Sequence, residues 1–195
     1  MKTIGLTGAA GCGKSTVLKI FQELGWKTVD ADAVCASLHV DPGSGIHPLL
    51  RERWGDHVIT ADGTTDKRAV AAIVFADEVE RKWLEQIIHP FIGRKLEEQL
   101  AHSFPEDRVI LEIPLLFECG WEKLTDRTIA VWSPPGEQMK RLLERGWSRE
   151  HAEYRIRSQF SADRKLELAD YGIINDSGMD TLRRQCEELN RCLNS

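Results

Sequence analysis

The sequence predicts an α/β fold in which a mostly parallel sheet of about five strands carries helices on both faces. Two observations support this class: short apolar runs alternate with helical patterns, and the first apolar run leads through a glycine-rich turn directly into a helix. Parallel strands that are covered on both faces are short and apolar, and they require crossover connections. The candidate strands are 3–7, 26–30, 108–113, 127–132 and 171–174.

The segments between and after these strands carry helical patterns. Ser133-Pro134 predicts an N-cap followed by proline at the first helical position, and His89-Pro90 predicts a break between two helices. The candidate helices are 14–24, 31–39, 46–54, 66–75, 78–88, 90–102, 134–145, 148–158, 161–168 and 178–193.

The stretch 46–102 interrupts the alternation, because it contains consecutive helices and no clear strand. Asp62-Gly63 is a turn signal between two of them, and Val58-Ile59 is at most the stub of a strand. We interpret this stretch as a helical insert at the edge of the sheet. Helices that only pack the core would give the same pattern.

A second unusual stretch, 140–168, is rich in arginine and has a short break at Gly146-Trp147-Ser148. Two helices joined by such a break are typical of a mobile flap. Acidic residues alternate with the arginines, so a solvated helical surface is the other interpretation. The arginines are Arg141, Arg145, Arg149, Arg155, Arg157 and Arg164.

Length and composition exclude several classes of protein. The chain has 195 residues, enough for one core, and 42% hydrophobic with 29% charged residues is typical of a globular protein. The net charge of −5 argues against nucleic acid as a partner. We expect no signal peptide and no membrane span. Five cysteines without a C-x-x-C pair predict free thiols and a cytoplasmic location.

The clearest functional signal is the phosphate-loop pattern G-x-x-x-x-G-K-[ST] at residues 8–15, between the first predicted strand and the first predicted helix. The backbone N–H groups of such a loop and the positive end of the following helix bind phosphate. We expect Lys14 to reach the β- and γ-phosphates of a nucleotide and the Ser15 hydroxyl to hold Mg²⁺. An accidental glycine-rich turn is the alternative, which the strand-loop-helix context disfavours.

Phosphoryl transfer also needs a group that orients or deprotonates the attacking hydroxyl. Val29-Asp30-Ala31-Asp32 ends the second predicted strand, and the carboxyl ends of parallel strands line one crevice. The residues alone leave three interpretations open: Asp30 faces the acceptor, Asp32 does, or both only cap the next helix.

Glu112 lies near the end of the third predicted strand, before Pro114. It resembles a Walker B acid, which binds Mg²⁺ directly or through water, although this pattern is common in buried strands. The histidines lack zinc-binding spacings, so we expect no catalytic transition metal. Cys12, beside Lys14, is either a reactive thiol or an inert small residue, and the second interpretation is favoured.

Together these motifs resemble the dephospho-coenzyme A kinase family over essentially the whole chain. Generic phosphate-loop proteins do not combine a His-Pro piece with a Pro-Leu-Leu-Phe-Glu piece. The matching pieces are Ile4-Gly5-Leu6-Thr7-Gly8, Gly11-Cys12-Gly13-Lys14-Ser15-Thr16, Val29-Asp30-Ala31-Asp32, Phe75-Ala76-Asp77, Trp83-Leu84, His89-Pro90, Pro114-Leu115-Leu116-Phe117-Glu118, Arg155-Ile156 with Gln159, Lys165 with Ala169-Asp170, and Ile174-Asn175.

The resemblance implies a three-layer P-loop kinase fold and a reaction. ATP would phosphorylate the ribose 3′-hydroxyl of dephospho-coenzyme A to give coenzyme A and ADP, the last step of coenzyme A biosynthesis. It implies one domain over 1–195. Within it, 1–45, 103–139 and 169–195 would form the nucleotide-binding core, 46–102 the substrate-binding insert and 140–168 the lid.

The resemblance also implies roles for single residues. Asp32 becomes the base or orienting group and acts with Lys14, while Mg²⁺ is held by Ser15 and, through water, by Glu112. The implied ATP-binding residues are Gly8, Ala10, Gly11, Cys12, Gly13, Lys14, Ser15, Thr16, Arg141, Arg145 and Asn175. The implied residues for dephospho-coenzyme A are Asp32, His89 and Leu115.

The chain departs from the family pattern at a few positions. Ala10 and Cys12 replace the more frequent Ile and Ser, but the backbone N–H does the binding there. Glu112 stands where Asp is frequent, and Gly146 stands where an acidic or amide residue is common.

The expected partners are ATP and dephospho-coenzyme A, with neither nucleic acid nor membrane, and a monomer is expected although the sequence does not determine the oligomeric state. The alternative function is another small-molecule P-loop kinase, for a nucleoside or nucleoside monophosphate. A regulatory nucleotide switch is disfavoured, because Ile174-Asn175-Asp176-Ser177 does not fit the guanine-reading N-K-x-D pattern.

Overall fold

The computed structural model describes residues 1–104 and 106–194. Within them, one five-stranded sheet has the order β2-β3-β1-β4-β5, and all neighbouring strands are parallel. The predicted parallel sheet is therefore confirmed. The strands are β1 (Lys2–Gly8), β2 (Lys27–Asp30), β3 (Arg108–Glu112), β4 (Arg127–Trp132) and β5 (Tyr171–Ile174).

Helices connect the strands and form the long insertion between β2 and β3. Short 3-10 helices lie at Asp56–Val58 and Trp121–Leu124. The α-helices are α1 (Lys14–Glu23), α2 (Ala31–Val40), α3 (His47–Trp54), α4 (Lys67–Ala76), α5 (Glu78–Ala101), α6 (Pro135–Glu144), α7 (Arg149–Arg157), α8 (Ala162–Leu168) and α9 (Met179–Asn194). No described helix is long and apolar enough to cross a membrane.

The chain divides into two compact units. The first unit comprises Met1–Asp30 and the described residues from Ser103 onward, and so contains the whole sheet with α1 and α6 to α9. The second unit, Ala31–His102, contains α2 to α5.

Side chains of the strands alternate between the two faces of the sheet, and on each face they pack against helices of the first unit. Ile4 and Leu6 of β1 are fully buried in a core that also contains side chains of α1 and α9. The glycines on the opposite face allow close packing, since a Cβ on Gly5 would lie 2.9 Å from a methyl group of Leu116. A Cβ on Gly172 would collide with Leu166 of α8. The result is the expected three-layer arrangement.

The strand order places β1 between β3 and β4: β2 and β3 lie on one side of β1, and after β3 the chain crosses to β4 on the other side. In parallel α/β sheets, ligands bind in the crevice outside the carboxyl ends of the strands at this switch point. The loop that follows β1 therefore occupies the position where the fold favours a ligand.

The second unit is organised around α5, against which α2 and α4 pack. Asp66 caps α4 by accepting hydrogen bonds from the backbone N–H groups of Arg68 and Ala69, at 2.9 and 3.1 Å. The expected strand stub at Val58-Ile59 was largely wrong. Val58 ends a 3-10 helix, and Ile59 forms only an isolated antiparallel bridge with Thr65.

The predicted helix break at His89-Pro90 was wrong, because α5 continues from Glu78 to Ala101 with Pro90 inside it. Proline removes one backbone hydrogen bond and normally disfavours a helix interior. Here the buried side chains continue on one stripe through both halves of the helix and outweigh that loss. They are Ile88, Ile92, Leu96 and Leu100.

The predicted cap at Ser133 was also wrong by one residue. Helix α6 begins at Pro135, and Pro134 is its N-cap with φ −57° and ψ 143°. A residue before proline is disfavoured in the α region, so Pro135 keeps Pro134 extended and delays the helix by one position. The buried Ser133 contributes its carbonyl instead, which accepts a hydrogen bond from the Gln138 side chain at 2.7 Å.

Candidate active site

The loop between β1 and α1 has the strained turns that a phosphate loop requires. Gly11 and Gly13 have φ of 79° and 95°, in the left-handed region that favours glycine. Side chains are also excluded by space, since a Cβ on Gly11 would lie 2.5 Å from the Gln138 carbonyl oxygen. A Cβ on Gly13 would collide with the Asn175 side-chain amide. Neighbouring elements thus hold the loop in a shape that only these glycines allow.

Lys14 begins α1 and folds its ammonium group back over the loop. Its Nζ donates to the carbonyl oxygens of Gly8 at 2.9 Å and Ala9 at 3.3 Å. Helix α1 starts without a side-chain cap, and Ser15 is exposed in its first turn. A helix N-terminus that carries a lysine over a backbone turn presents partial and full positive charge to an anion.

Two of the residues expected at ATP, Arg141 and Asn175, contact the loop itself. The Asn175 side-chain amide is buried and donates to the Cys12 carbonyl at 2.8 Å. Arg141 on α6 donates to the Gly11 and Cys12 carbonyls at 3.3 and 3.4 Å, and to the Asn175 carbonyl at 3.2 Å. These groups brace the loop from the side of α6 and β5. No sequence motif predicts these contacts between the loop and the two side chains.

The other expected nucleotide residue on α6, Arg145, is the exposed C-terminal cap of that helix. The chain then turns at Gly146, with φ of 83°, into α7. Cys12 has no exposed surface and belongs to the apolar core beside α1. Its burial supports the interpretation of an inert small residue.

Two carboxylates end adjacent strands at the same edge of the sheet. Glu112, the last residue of β3, lies in register with Leu6 of β1 and with Asp30, the last residue of β2. Aligned residues of parallel strands point to the same face. Glu112 is 9% exposed, whereas Asp30 is exposed.

No described group of three or more His, Cys, Asp or Glu side chains could hold a metal ion. A magnesium ion that accompanies a nucleotide usually has only one or two protein ligands, and phosphates and water supply the rest. A hydroxyl at Ser15 and a carboxylate at Glu112 are oxygen ligands of the type that Mg²⁺ prefers. The residues present therefore fit this ion.

The residues expected at the acceptor lie in both units. Asp32 is exposed in the first turn of α2, and His89 is half-buried in α5. Burial lowers the pKa of His89, and the Glu85 carboxylate opposes this shift. Leu115 belongs to the first unit, is half-buried and follows β3.

The second unit contains a cavity of about 330 Å³ that is lined by α2, the loop after it and α5. The walls combine apolar and charged side chains, and the guanidinium of Arg94 lies 4.7 Å from the centre of the Phe91 ring. The lining residues are Leu38, Asp41, Gly43, Ser44, Phe91, Arg94, Lys95 and Glu98. A mixed cavity of this size suits part of a small polar molecule.

Sequence reasoning missed the buried pair of Lys165 and Glu118. The side chain of Lys165 on α8 has no exposed surface, and its Nζ lies 2.9 Å from Glu118 Oε1. Both residues are in pieces that carried the family resemblance, but their separation in sequence gives no sign that they meet. Only the packing of α8 on the sheet brings them together.

Comparison with known proteins identifies a family. A family model described as dephospho-CoA kinase matches residues 2–181. The dephospho-CoA kinase of Symbiobacterium thermophilum is 39% identical over 190 residues, which cover 96% of this chain and 79% of that protein.

Solved structures share the fold over nearly the whole length. The crystal structure of TT1252 from Thermus thermophilus has a TM-score of 0.81 and 34% identity, and the match covers 98% of this chain and 97% of the other. Dephospho-CoA kinase from Campylobacter jejuni has a TM-score of 0.73 and 29% identity, with 98% and 96% covered.

Proposed function

Because the chain belongs to the dephospho-CoA kinase family, we propose that it transfers the γ-phosphoryl group of ATP to the ribose 3′-hydroxyl of dephospho-CoA. The products are CoA and ADP, and the reaction is the last step of CoA biosynthesis. The observation that carries this proposal is the family match over residues 2–181, on a chain whose phosphate loop is built and braced for an anion.

On the donor side, the proposal assigns the triphosphate to the loop Gly8–Thr16. The backbone turn, the N-terminus of α1 and the Lys14 ammonium supply positive potential there. Arg141 and Asn175 support the loop from behind. Arg145, exposed at the end of α6, is proposed to contact ATP when the nucleotide is present.

On the acceptor side, we assign the orientation or deprotonation of the ribose hydroxyl to Asp32. The support is positional: α2 begins immediately after β2, whose carboxyl end lies at the same sheet edge as that of β1. Asp32 is an exposed residue in the first turn of α2, and a carboxylate is a group of the type that accepts a proton or orients a hydroxyl. We assign His89 and Leu115 to the binding of dephospho-CoA.

Mg²⁺ is proposed to accompany ATP, held by the Ser15 hydroxyl and, through water, by the Glu112 carboxylate. Such an ion neutralises charge that develops on the transferred and leaving phosphates. The protein groups orient it, and Lys14 shares the neutralisation.

We further propose that the helical insert 46–102 contributes to the binding of dephospho-CoA and that 140–168 acts as a lid over ATP. The insert is supported by the cavity that includes Phe91, Arg94 and Lys95. The lid is supported by the turn at Gly146 between two arginine-bearing helices. None of the five cysteines forms a disulfide in the described structure, which supports a reducing, cytoplasmic compartment.

The test is a panel of acceptors assayed with the pure protein and MgATP. We expect dephospho-CoA to gain the mass of one phosphoryl group with stoichiometric release of ADP. A nucleoside and several nucleoside monophosphates serve as competing acceptors. Equal or better turnover with any of these would replace the proposed acceptor, and ATP hydrolysis that no acceptor stimulates would replace the proposed class of enzyme.

A further inference from the structure

Lys165 is a buried cation that the proposed reaction does not use. Its side chain has no exposed surface, and burial lowers the pKa of its ammonium group while the Glu118 carboxylate opposes that shift. The Lys14 ammonium also lowers the pKa of Lys165, so the two charges lie close enough to affect each other. Lys165 lies near the segment of β1 that leads into the phosphate loop, because its ammonium and the Thr7 hydroxyl donate to the same carbonyl.

The ammonium of Lys165 joins two strand ends. It donates to the carbonyl of Pro114, two residues after the end of β3, and the same carbonyl accepts a hydrogen bond from the Thr7 hydroxyl at 3.1 Å. Thr7 is fully buried in β1, directly before the phosphate loop. One carbonyl thus ties the carboxyl end of β1 to the segment that follows Glu112.

Glu118 extends this network to the segment between α7 and α8. Its Oε1 accepts a hydrogen bond from the backbone N–H of Phe160 at 2.8 Å while also pairing with Lys165. The other oxygen, Oε2, is buried and has no hydrogen-bond partner within the described structure. A buried carboxylate oxygen without a hydrogen-bond partner lowers the stability of the folded protein.

Stability alone does not account for such a pair. Replacing a buried ion pair with apolar side chains of similar volume is often neutral or stabilising, because desolvation offsets the attraction. The groups that the pair connects are instead those around which the reaction is proposed to occur: the loop that holds ATP and the strand end that carries Glu112.

We propose that Lys165 and Glu118 form a positioning pair, which holds the carboxyl end of β3 against that of β1 and so fixes Glu112 relative to the phosphate loop. The proposal rests on the proposed function. It assigns no contact with substrate to either residue; both act through Pro114, Thr7 and the segment around Phe160.

This arrangement predicts an effect on turnover and not on ATP binding. The loop keeps its own shape through its glycines and through Asn175 and Arg141, so ATP binding does not depend on Lys165. Transfer depends on the relative placement of two strand ends, and small misplacements reduce rates strongly. The pair should therefore affect kcat more than the KM for ATP.

The experiment compares Glu118→Gln, Lys165→Met and the double variant with the native chain. We expect each single variant to lower kcat by about tenfold or more with the KM for ATP within about threefold. The double variant should be no slower than Lys165→Met, because the two residues act as one unit. Glu118→Gln keeps the shape of the side chain at a residue that is partly exposed, so we expect this variant to fold. If Lys165→Met does not fold, the kcat of Glu118→Gln tests the proposal.

The matched control is the exposed ion pair of Arg183 and Glu23, at 2.6 Å in the same unit. Arg183→Met and Glu23→Gln should leave kcat unchanged. If Glu118→Gln or Lys165→Met lowers only the melting temperature and leaves kcat native, the pair is structural and the proposal is wrong. If the native chain does not phosphorylate dephospho-CoA, the proposed function fails separately. The same variants are then compared by acceptor-free ATP hydrolysis, where the same loss of rate is expected.

Discussion

Among single residues, Lys14 shows that the motif supplies a charged side chain and the neighbouring backbone positions it. The motif places a lysine at the start of α1, and the structure shows its ammonium held over the loop by the carbonyls of Gly8 and Ala9. This position is maintained by backbone groups that do not move with the side chain. These two hydrogen bonds orient the ammonium toward the loop, and fixed orientation of charge is a condition for strong electrostatic catalysis.

Replacing Lys14 with Met should reduce kcat by about a hundred- to a thousandfold, equivalent to about 3–4 kcal/mol of transition-state stabilisation. The substitution removes the charge that is proposed to neutralise the leaving phosphates. Steady-state kinetics with MgATP and dephospho-CoA measure the effect. Lys19→Met, at an exposed position of the same helix, is the control and should turn over normally. A Lys14→Met variant of near-native kcat would contradict the phosphate-loop assignment.

Asp32→Asn separates the two aspartates that the sequence left unresolved. If Asp32 orients or deprotonates the acceptor, the amide should lower kcat by about a hundredfold or more and leave the ATP affinity unchanged. Titration of ATP against the variant and a turnover assay give the two quantities. Asp30→Asn is the matched comparison. A larger loss of kcat in Asp30→Asn would move the role to the end of β2, and loss of ATP binding in Asp32→Asn would indicate a metal ligand.

At the scale of elements, α5 shows that packing overrides a local signal. Pro90 lacks the N–H that would bond to the preceding turn, yet the helix runs through it from Glu78 to Ala101. The buried residues Ile88, Ile92, Leu96 and Leu100 lie on both sides of the proline, and their burial offsets the lost hydrogen bond.

The N-cap of α4, Asp66, makes a local contribution to the stability of the protein that can be measured separately. Asp66 Oδ1 satisfies two backbone N–H groups that the helix itself leaves unpaired. Asp66→Ala should lower the free energy of unfolding by about 1 kcal/mol, which urea titration measures. Asp66→Asn keeps an oxygen acceptor and should retain most of the stability. Equal losses in both variants would show that the charge, and not the cap, stabilises the helix.

For the whole molecule, we expect the stability in acid to depend on a histidine of the second unit, His39. Burial, with Lys67 and His47 adding to it, lowers the pKa of His39 from 6.5 to about 4. The ring is held as the neutral form by groups of the second unit. The ring Nδ1 lies 3.1 Å from the Thr65 hydroxyl, and the backbone carbonyl of His39 accepts a hydrogen bond from the Thr65 backbone N–H at 2.9 Å.

The consequence is a loss of stability as the pH falls. The unfolded chain binds a proton on His39 near pH 6.5 and the folded chain only near pH 4, so unfolding takes up a proton in this window. Stability is complete above about pH 6.5 and falls toward about pH 4, by on the order of 2 kcal/mol after allowance for solvent screening.

Urea unfolding at about pH 7.5 and about pH 5 measures this difference. His39→Gln should reduce it, whereas His57→Gln, at an exposed position, should not. An unchanged pH dependence in His39→Gln would assign the acid sensitivity to other groups.

The phosphate loop, the parallel sheet and the family could be predicted from the amino-acid sequence, because they depend on local patterns: glycine spacing, apolar runs and motif order. A positive φ at Gly11 and Gly13 is a property of the chain within a few residues. Local signals were less reliable at Pro90 and Ser133, where a long apolar stripe and a second proline outweighed them.

The contacts between side chains far apart in sequence became apparent only in the folded chain. It directed Asn175 and Arg141 to the carbonyls of the loop, aligned Glu112 with Asp30, and buried Lys165 against Glu118 and Pro114. The physical reason is that these contacts form between elements far apart in sequence, through sheet register and helix packing. No spacing of residues encodes such a contact, because its geometry exists only after the strands have aligned.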